Sequence, residues 1–291
     1  MRFIFNSLIF SGFLLSGAGS IGTGFLSLPT SASELSLGQN PVFGLTNWTN
    51  PAIGANQNSQ SYLNVSYGSW LSGVRSFKLS VGSNLGSYKS GYRIRHVSLN
   101  DLEYRTDRPT DEPLASFGAS GTAIDFHLNK SWEKLNAGIA LRWIYMDMYT
   151  ENSQGISLDM GGIFSIGKKL KIAVSLLNLG TMNAFKSDNP TLPTRILAGI
   201  STQLNPGLMS IEISASGEYN SHVSGIISGL AGQMRVGKLI INSAVRSSDN
   251  VITLSGGVGL SLGMYSLNYG LLYGTHQLGL PQMIDLSIRL P

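Results

Sequence analysis

Cysteine is absent from this sequence. That excludes disulfides, thiolate metal sites and lipoprotein acylation, and it leaves the redox compartment open. Charge is also scarce, with Asp, Glu, Lys and Arg at 12% of residues, about half the usual globular share. A soluble protein of 291 residues needs more charge than this to cover its surface. The formal net charge of +4 comes with no dense Lys/Arg cluster, so a nucleic-acid partner has no support. His96, His222 and His276 are too scattered for a metal site to be argued, and no cofactor motif stands in its proper context. Past residue 15 no apolar run is long enough for a membrane-crossing helix. Yet hydrophobic residues reach 42%, so the apolar content is spread over short segments.

Those segments alternate. Between Lys134 and Gly180, Leu135, Ala137, Ile139, Leu141, Trp143 and Tyr145 take one face of a run, and Asn136, Gly138, Ala140 and Arg142 the other. A second run sets Ile156, Leu158, Met160, Gly162 and Phe164 against Ser157, Asp159 and Gly161, and a third sets Leu170, Ile172, Val174 and Leu176 against Lys171, Ala173 and Ser175. A two-residue period means strands, because successive Cβ atoms point to opposite sides. Large apolar side chains on one face and small polar ones on the other suit a barrel in lipid. A soluble β-sandwich is the alternative.

The N-terminus bears on compartment. Arg2, the apolar stretch Phe3 to Leu15 and the small residues Ser16-Gly17-Ala18 read as a secretory signal peptide over 1–18. Residues 19–59 do not alternate and carry Pro and Asn punctuation, with one short helix expected near Ser31–Leu37. From residue 60 to 291 the pattern predicts about fourteen strands: 60–70, 74–83, 86–98, 117–129, 134–147, 155–165, 169–178, 194–204, 208–218, 223–234, 237–246, 250–261, 264–274 and 282–290. Glu151 to Gly155 reads as a turn. Connections after odd strands include the long ones, Leu99 to Leu114 and Gly180 to Pro193, whereas those after even strands are tight. Long loops on one rim and short turns on the other mark an outer-membrane barrel, and a sandwich has no reason to sort loops this way. Tyr265 and Tyr273 bracket one strand face. Eight steps of about 3.3 Å, tilted, give roughly 20 Å along the membrane normal, close to the height of the apolar band. The fold class expected is all-β, a transmembrane antiparallel barrel with an N-terminal segment (19–59) filling its lumen as a hatch.

The run Phe25 to Ala32, then Leu37-Gly38, then Asn50-Pro51-Ala52 resembles the opening of the PorV/PorQ-type outer-membrane proteins, which belong with the fourteen-stranded FadL-type barrels. Thr122 to Asp125, Leu177 to Gly180 and Leu192-Pro193 resemble that family's middle section. Ser33 and Gln39 depart from its Arg and second Gly, and the chain ends Leu290-Pro291 without a terminal aromatic. The resemblance implies residence in the outer membrane and a non-enzymatic role in type IX protein secretion. The partners would then be outer-membrane lipid, secreted cargo proteins and other secretion-system subunits. A FadL-like transporter of hydrophobic small molecules is the alternative, with an outer-membrane hydrolase behind both.

Candidate chemistry is sparse. Gly17, Gly19 and Gly22 spell a dinucleotide-type motif, but it lies across the expected cleavage site rather than in a βαβ unit. Asp125 and His127 share the polar face of one strand, with Arg142 and Asp159 on the strands that follow. A carboxylate beside an imidazole suits general-base chemistry. The plainer reading of Asp125, His127, Arg142 and Asp159 is a lumenal network of mutually satisfied polar groups. The acidic and basic residues from Asp101 to Glu112 lack the spacing of a calcium loop and read as a solvated extracellular loop. Asn47-Trp48-Thr49 and Asn64-Val65-Ser66 fit a glycosylation pattern that has no meaning in a bacterial barrel.

Overall fold

A computed structural model of the chain describes residues 22–42, 48–53, 61–105, 111–167, 169–185, 189–249, 251–274 and 279–290. The expected signal peptide, with Gly17 and Gly19, lies outside them. Fourteen strands are present among the described residues. They are β1 (Ser61–Ser69), β2 (Arg75–Leu85), β3 (Tyr88–Tyr104), β4 (Ala115–Ser131) and β5 (Leu135–Met148). Next come β6 (Glu151–Ile166), β7 (Leu170–Met182), β8 (Arg195–Leu204), β9 (Met209–Asn220) and β10 (Ile226–Val236). The last four are β11 (Leu239–Ser248), β12 (Val251–Leu262), β13 (Tyr265–Gly274) and β14 (Gln282–Leu290). Each pairs antiparallel with its sequence neighbours, and β14 closes on β1 in a register running from Ser61↔Leu290 to Ser69↔Gln282. A closed barrel leaves no edge strand, so every backbone group of the wall can be paired.

The alternation sorts the faces. On β5, Leu141 is 60% exposed and its neighbour Arg142 only 2%. The same outward row holds Ile139 and Trp143, and on β13 it runs from Tyr265 through Leu267, Tyr269 and Leu271 to Tyr273. An apolar exterior around a polar lumen is stable only in a bilayer.

The lower rim is made of tight reversals. Gly86, Gly167, Gly207, Gly237 and Gly263 sit in five of them with φ between 56° and 63°, a conformation that costs glycine little. The upper rim carries the longer connections, including 105–114 and 183–194. Two expectations about this rim need correction. Glu151 to Gly155 is strand rather than turn, because Tyr149, at φ 59°, completes the reversal earlier. The predicted loop from Leu99 begins only after Tyr104, since a bulge at Asp101 (φ 60°) lets β3 resume pairing with β4.

The lumen is occupied by the chain's own N-terminal part. A 3₁₀ turn, Thr23–Ser27, lies near the upper rim, where the Thr23 hydroxyl donates to the Thr191 carbonyl at 2.6 Å. Helix α1 (Ala32–Ser36) follows, capped by Ser31, whose hydroxyl accepts the Glu34 N–H at 3.2 Å. Residues 48–53 reach toward the lower half. Leu37, Val42, Ala52 and Ile53 form one apolar cluster with Ile163, Ala173, Ala231 and Ala244 of the wall.

Candidate functional site

The site is the interface between this hatch and the inner wall. Four consecutive strands each place one charge at mid-height, and the charges alternate in sign. Asp125 on β4 accepts from Arg93 of β3 at 2.5 and 2.9 Å and from Arg142 of β5 at 3.2 and 3.3 Å. Arg142 also donates to Asp159 of β6 at 2.5 Å and to the Asn178 side chain on β7. A bulge in the β6–β7 pairing, with Asn178 at φ 59°, turns the Asn178 N–H toward Asp159, which accepts it at 2.7 Å. Every member is 2% exposed or less, so the charges neutralise one another rather than meet solvent.

Trp48 of the hatch lies against this ladder, with its ring 4.2 Å from the guanidinium carbon of Arg93 and 4.5 Å from that of Arg142. Cation–π contact of this kind is stronger where water is excluded. The Asn50-Pro51-Ala52 turn seats lower. Its Asn50 side chain donates to the Pro41 and Gly162 carbonyls at 2.9 and 3.3 Å and accepts the Ala52 N–H at 2.9 Å. Gly138 and Gly161 make room for it, since a Cβ there would come within 2.3 Å of the Pro51 carbonyl oxygen and 2.0 Å of the Asn50 side-chain oxygen. On the far wall, Asp285 of β14 accepts the Ala32 and Ser33 N–H groups at 2.8 and 3.3 Å, satisfying the free start of α1. Glu218 of β9 holds Arg195 at 2.6 and 3.0 Å and Arg246 at 2.7 Å, and Arg246 donates onward to Gln39 of the hatch at 2.9 Å.

Of the four residues singled out from sequence, Asp125, Arg142 and Asp159 come together. His127 does not join them. It lies two positions farther down β4, where its ring meets the Tyr62 hydroxyl at 3.4 Å. Asp125 is engaged by two arginines, so the Asp125–His127 pair that general-base chemistry needs is not formed. Arg93, Asn178, Asp285 and Trp48 were not singled out as members of this site, although Asn178 stands in the Leu177 to Gly180 resemblance and Asp285 on the polar face of the last strand. Arg93 carried a signal, a cation between the lipid-facing Tyr92 and Ile94. Trp48, in a segment without period, carried none.

Above the ladder the interior turns apolar. Phe25 and Leu26 of the hatch pack with Val97, Ala123, Ile144, Met146, Met182 and Leu192 in the upper part of the lumen. Between hatch and wall, a cavity of about 10 Å³ beside Trp48, Glu34 and Arg195 has room for roughly one water.

The closed fourteen-strand sheet, the apolar belt and the filled lumen can now be set beside known proteins. The toluene transporter TodX from P. putida superposes with a TM-score of 0.63 at 8% identity, covering 89% of this chain and 98% of that one. This chain folds as an outer-membrane barrel. A TodX deltaS2S3 mutant, described as a monoaromatic hydrocarbon channel, agrees at a TM-score of 0.62 and 9% identity over 89% of this chain and 99% of that one. Identity this low speaks for the fold alone. No protein-family model matches the sequence, and no curated protein matches it.

Proposed function

We propose that the protein is an outer-membrane channel for small hydrophobic molecules, held shut by its own N-terminal segment. The observation that carries this is the apolar upper lumen. A barrel that passed only polar solutes would have no use for buried Val97, Ile144, Met146 and Met182 inside its mouth. Here they pack against Phe25 and Leu26 of the hatch, so that moving those two side chains would bare an apolar surface. Ligand pockets are concave and mainly apolar, with a few polar groups, and this region has that composition. The description of TodX as a toluene transporter supports the reading. No catalytic step is part of it.

The resemblance to PorV/PorQ proteins supports the other role, a type IX secretion component that handles exported cargo with its extracellular loops. The two readings separate cleanly in cells. Removing residues 22–28 is expected to raise uptake of toluene-like compounds while surface proteins are exported normally. Shortening the 105–114 connection is expected to leave that uptake intact. If the loop variant instead traps sorting-domain proteins in the periplasm, and the hatch variant leaves uptake unchanged, the secretion role replaces the channel.

A further inference from the structure

The stopper has the shape of a ligand. The Phe25 ring sits against Gly121 of β4, where a Cβ would fall 2.6 Å from the ring atoms, so the wall is hollowed to accept an aromatic ring. The guanidinium carbon of Arg95 lies 5.9 Å from the ring centroid. One of its terminal nitrogens donates to the Pro29 carbonyl over a long 3.4 Å. The hatch thus presents a ring to an apolar pocket and, four residues on, an oxygen to a buried cation.

That cation is poorly served. Arg95 is 1% exposed, and its Nε has no hydrogen-bond partner among the described residues. Directly opposite Arg95 in the β2–β3 register stands Lys78, also buried, whose Nζ is likewise without a partner among the described residues. The carboxylates that face these cations, Glu34 and Asp285, are hydrogen-bonded to the hatch backbone at Thr30 and at Ala32 and Ser33 instead. The free donors of Arg95 and Lys78 therefore stay unanswered among the described residues, and an entering carboxylate can take a guanidinium fork at about 2.7–2.9 Å. A neutral carbonyl at 3.4 Å is a weak substitute.

We infer that the upper lumen is a binding site for aromatic carboxylates, with the ring in the place of Phe25 and the carboxylate on Arg95 and Lys78. The inference rests on the channel reading and narrows it from hydrophobic molecules in general to rings that carry an anion. Phe25 and Pro29 then act as an internal competitor. Ligand displaces the 3₁₀ turn, and the pairing gained at Arg95 favours the exchange.

The test uses the full chain in detergent, with benzoate and toluene as probes, titrated by calorimetry. Retention of the folded band on unheated gels shows that each variant is a barrel. Phe25→Ala is expected to bind benzoate roughly tenfold more tightly than the unmodified protein, because the competitor is gone. Adding Arg95→Gln is expected to remove that gain for benzoate and leave toluene binding within about threefold, with Arg95→Lys in between because it keeps the charge and loses the fork. Where Phe25→Ala does not fold, Phe25→Leu serves in the same comparison. Benzoate binding that ignores Arg95→Gln, or toluene bound with no benzoate bound, overturns the site and leaves the channel reading standing. Selective benzoate binding by a protein that admits neither compound in uptake assays sustains the site and overturns the channel.

Discussion

The Asp285 carboxylate accepts the Ala32 N–H at 2.8 Å, joining the last strand of the barrel to the first helix of the hatch. Because β14 is also the strand that closes on β1, the plug is fastened at the seam of the wall.

Asp285→Ala removes the acceptor for two backbone N–H groups of a helix too short to hold itself. A buried donor left unsatisfied costs about 1–3 kcal/mol. The hatch is expected to loosen while the barrel persists. Limited proteolysis within residues 22–53 should speed up, with the heat-dependent gel shift unchanged. Cleavage at the original rate would show that α1 does not depend on Asp285.

Arg142→Ala leaves Asp159 and part of Asp125 as uncompensated buried charge. Breaking such a pair from one side costs about 3–5 kcal/mol. His127→Ala breaks no ion pair, removing a 3.4 Å contact to Tyr62 and the packing of a buried ring beside Gly91, and is expected to cost less than Arg142→Ala. Thermal unfolding of the two variants in detergent measures the contrast. Equal losses would mean that the ladder is not the mid-height brace.

Gly161→Ala drives a methyl group into the Asn50 side chain, and Gly138→Ala drives one into the Pro51 carbonyl. Gly162→Ala, beside them, meets only the Asn136 carbonyl at 3.8 Å. Overpacking at the first two sites is expected to cost about 1–3 kcal/mol and to unseat the hatch, whereas the third is nearly silent. Single-channel conductance in a planar bilayer reports the difference, since an unseated hatch opens current.

Leu141→Arg puts a cation in the lipid belt, at about 2–4 kcal/mol near the midplane. From the sequence alone, Ser157→Arg and Ser266→Arg both look mild, because both residues face the lumen. The structure separates them. Ser157 is 2% exposed and pairs in register with Arg142, so an arginine there overfills the space beside another buried cation. Ser266 is half-buried near the lower rim, where a long side chain can carry its charge out to water. Folded yield after outer-membrane fractionation is expected to fall for Leu141→Arg and Ser157→Arg and to hold for Ser266→Arg.

The sequence by itself determined the wall. Alternation is a local property, since each residue's side follows from its neighbour's, so Leu141 out and Arg142 in could be read without knowing what they touch. Turn glycines such as Gly207 and Gly263 are equally local, because a tight reversal needs their backbone freedom where it occurs, although Gly86 was expected to open the third strand and instead makes the turn before it. Asp125, Arg142 and Asp159 were legible as a group because neighbouring strands had to bring them side by side. Tertiary structure alone decided what fills the barrel and which lumenal residues matter. Trp48 against two guanidiniums, Ala32 on Asp285 and Phe25 against Gly121 join positions far apart in the chain, and the hatch that supplies them has no period to reveal its facing. The exclusion of His127 from the ladder and the crowding at Ser157 have the same cause: strand alternation says which side of the wall a residue faces, and only the packed hatch says how much room is left there.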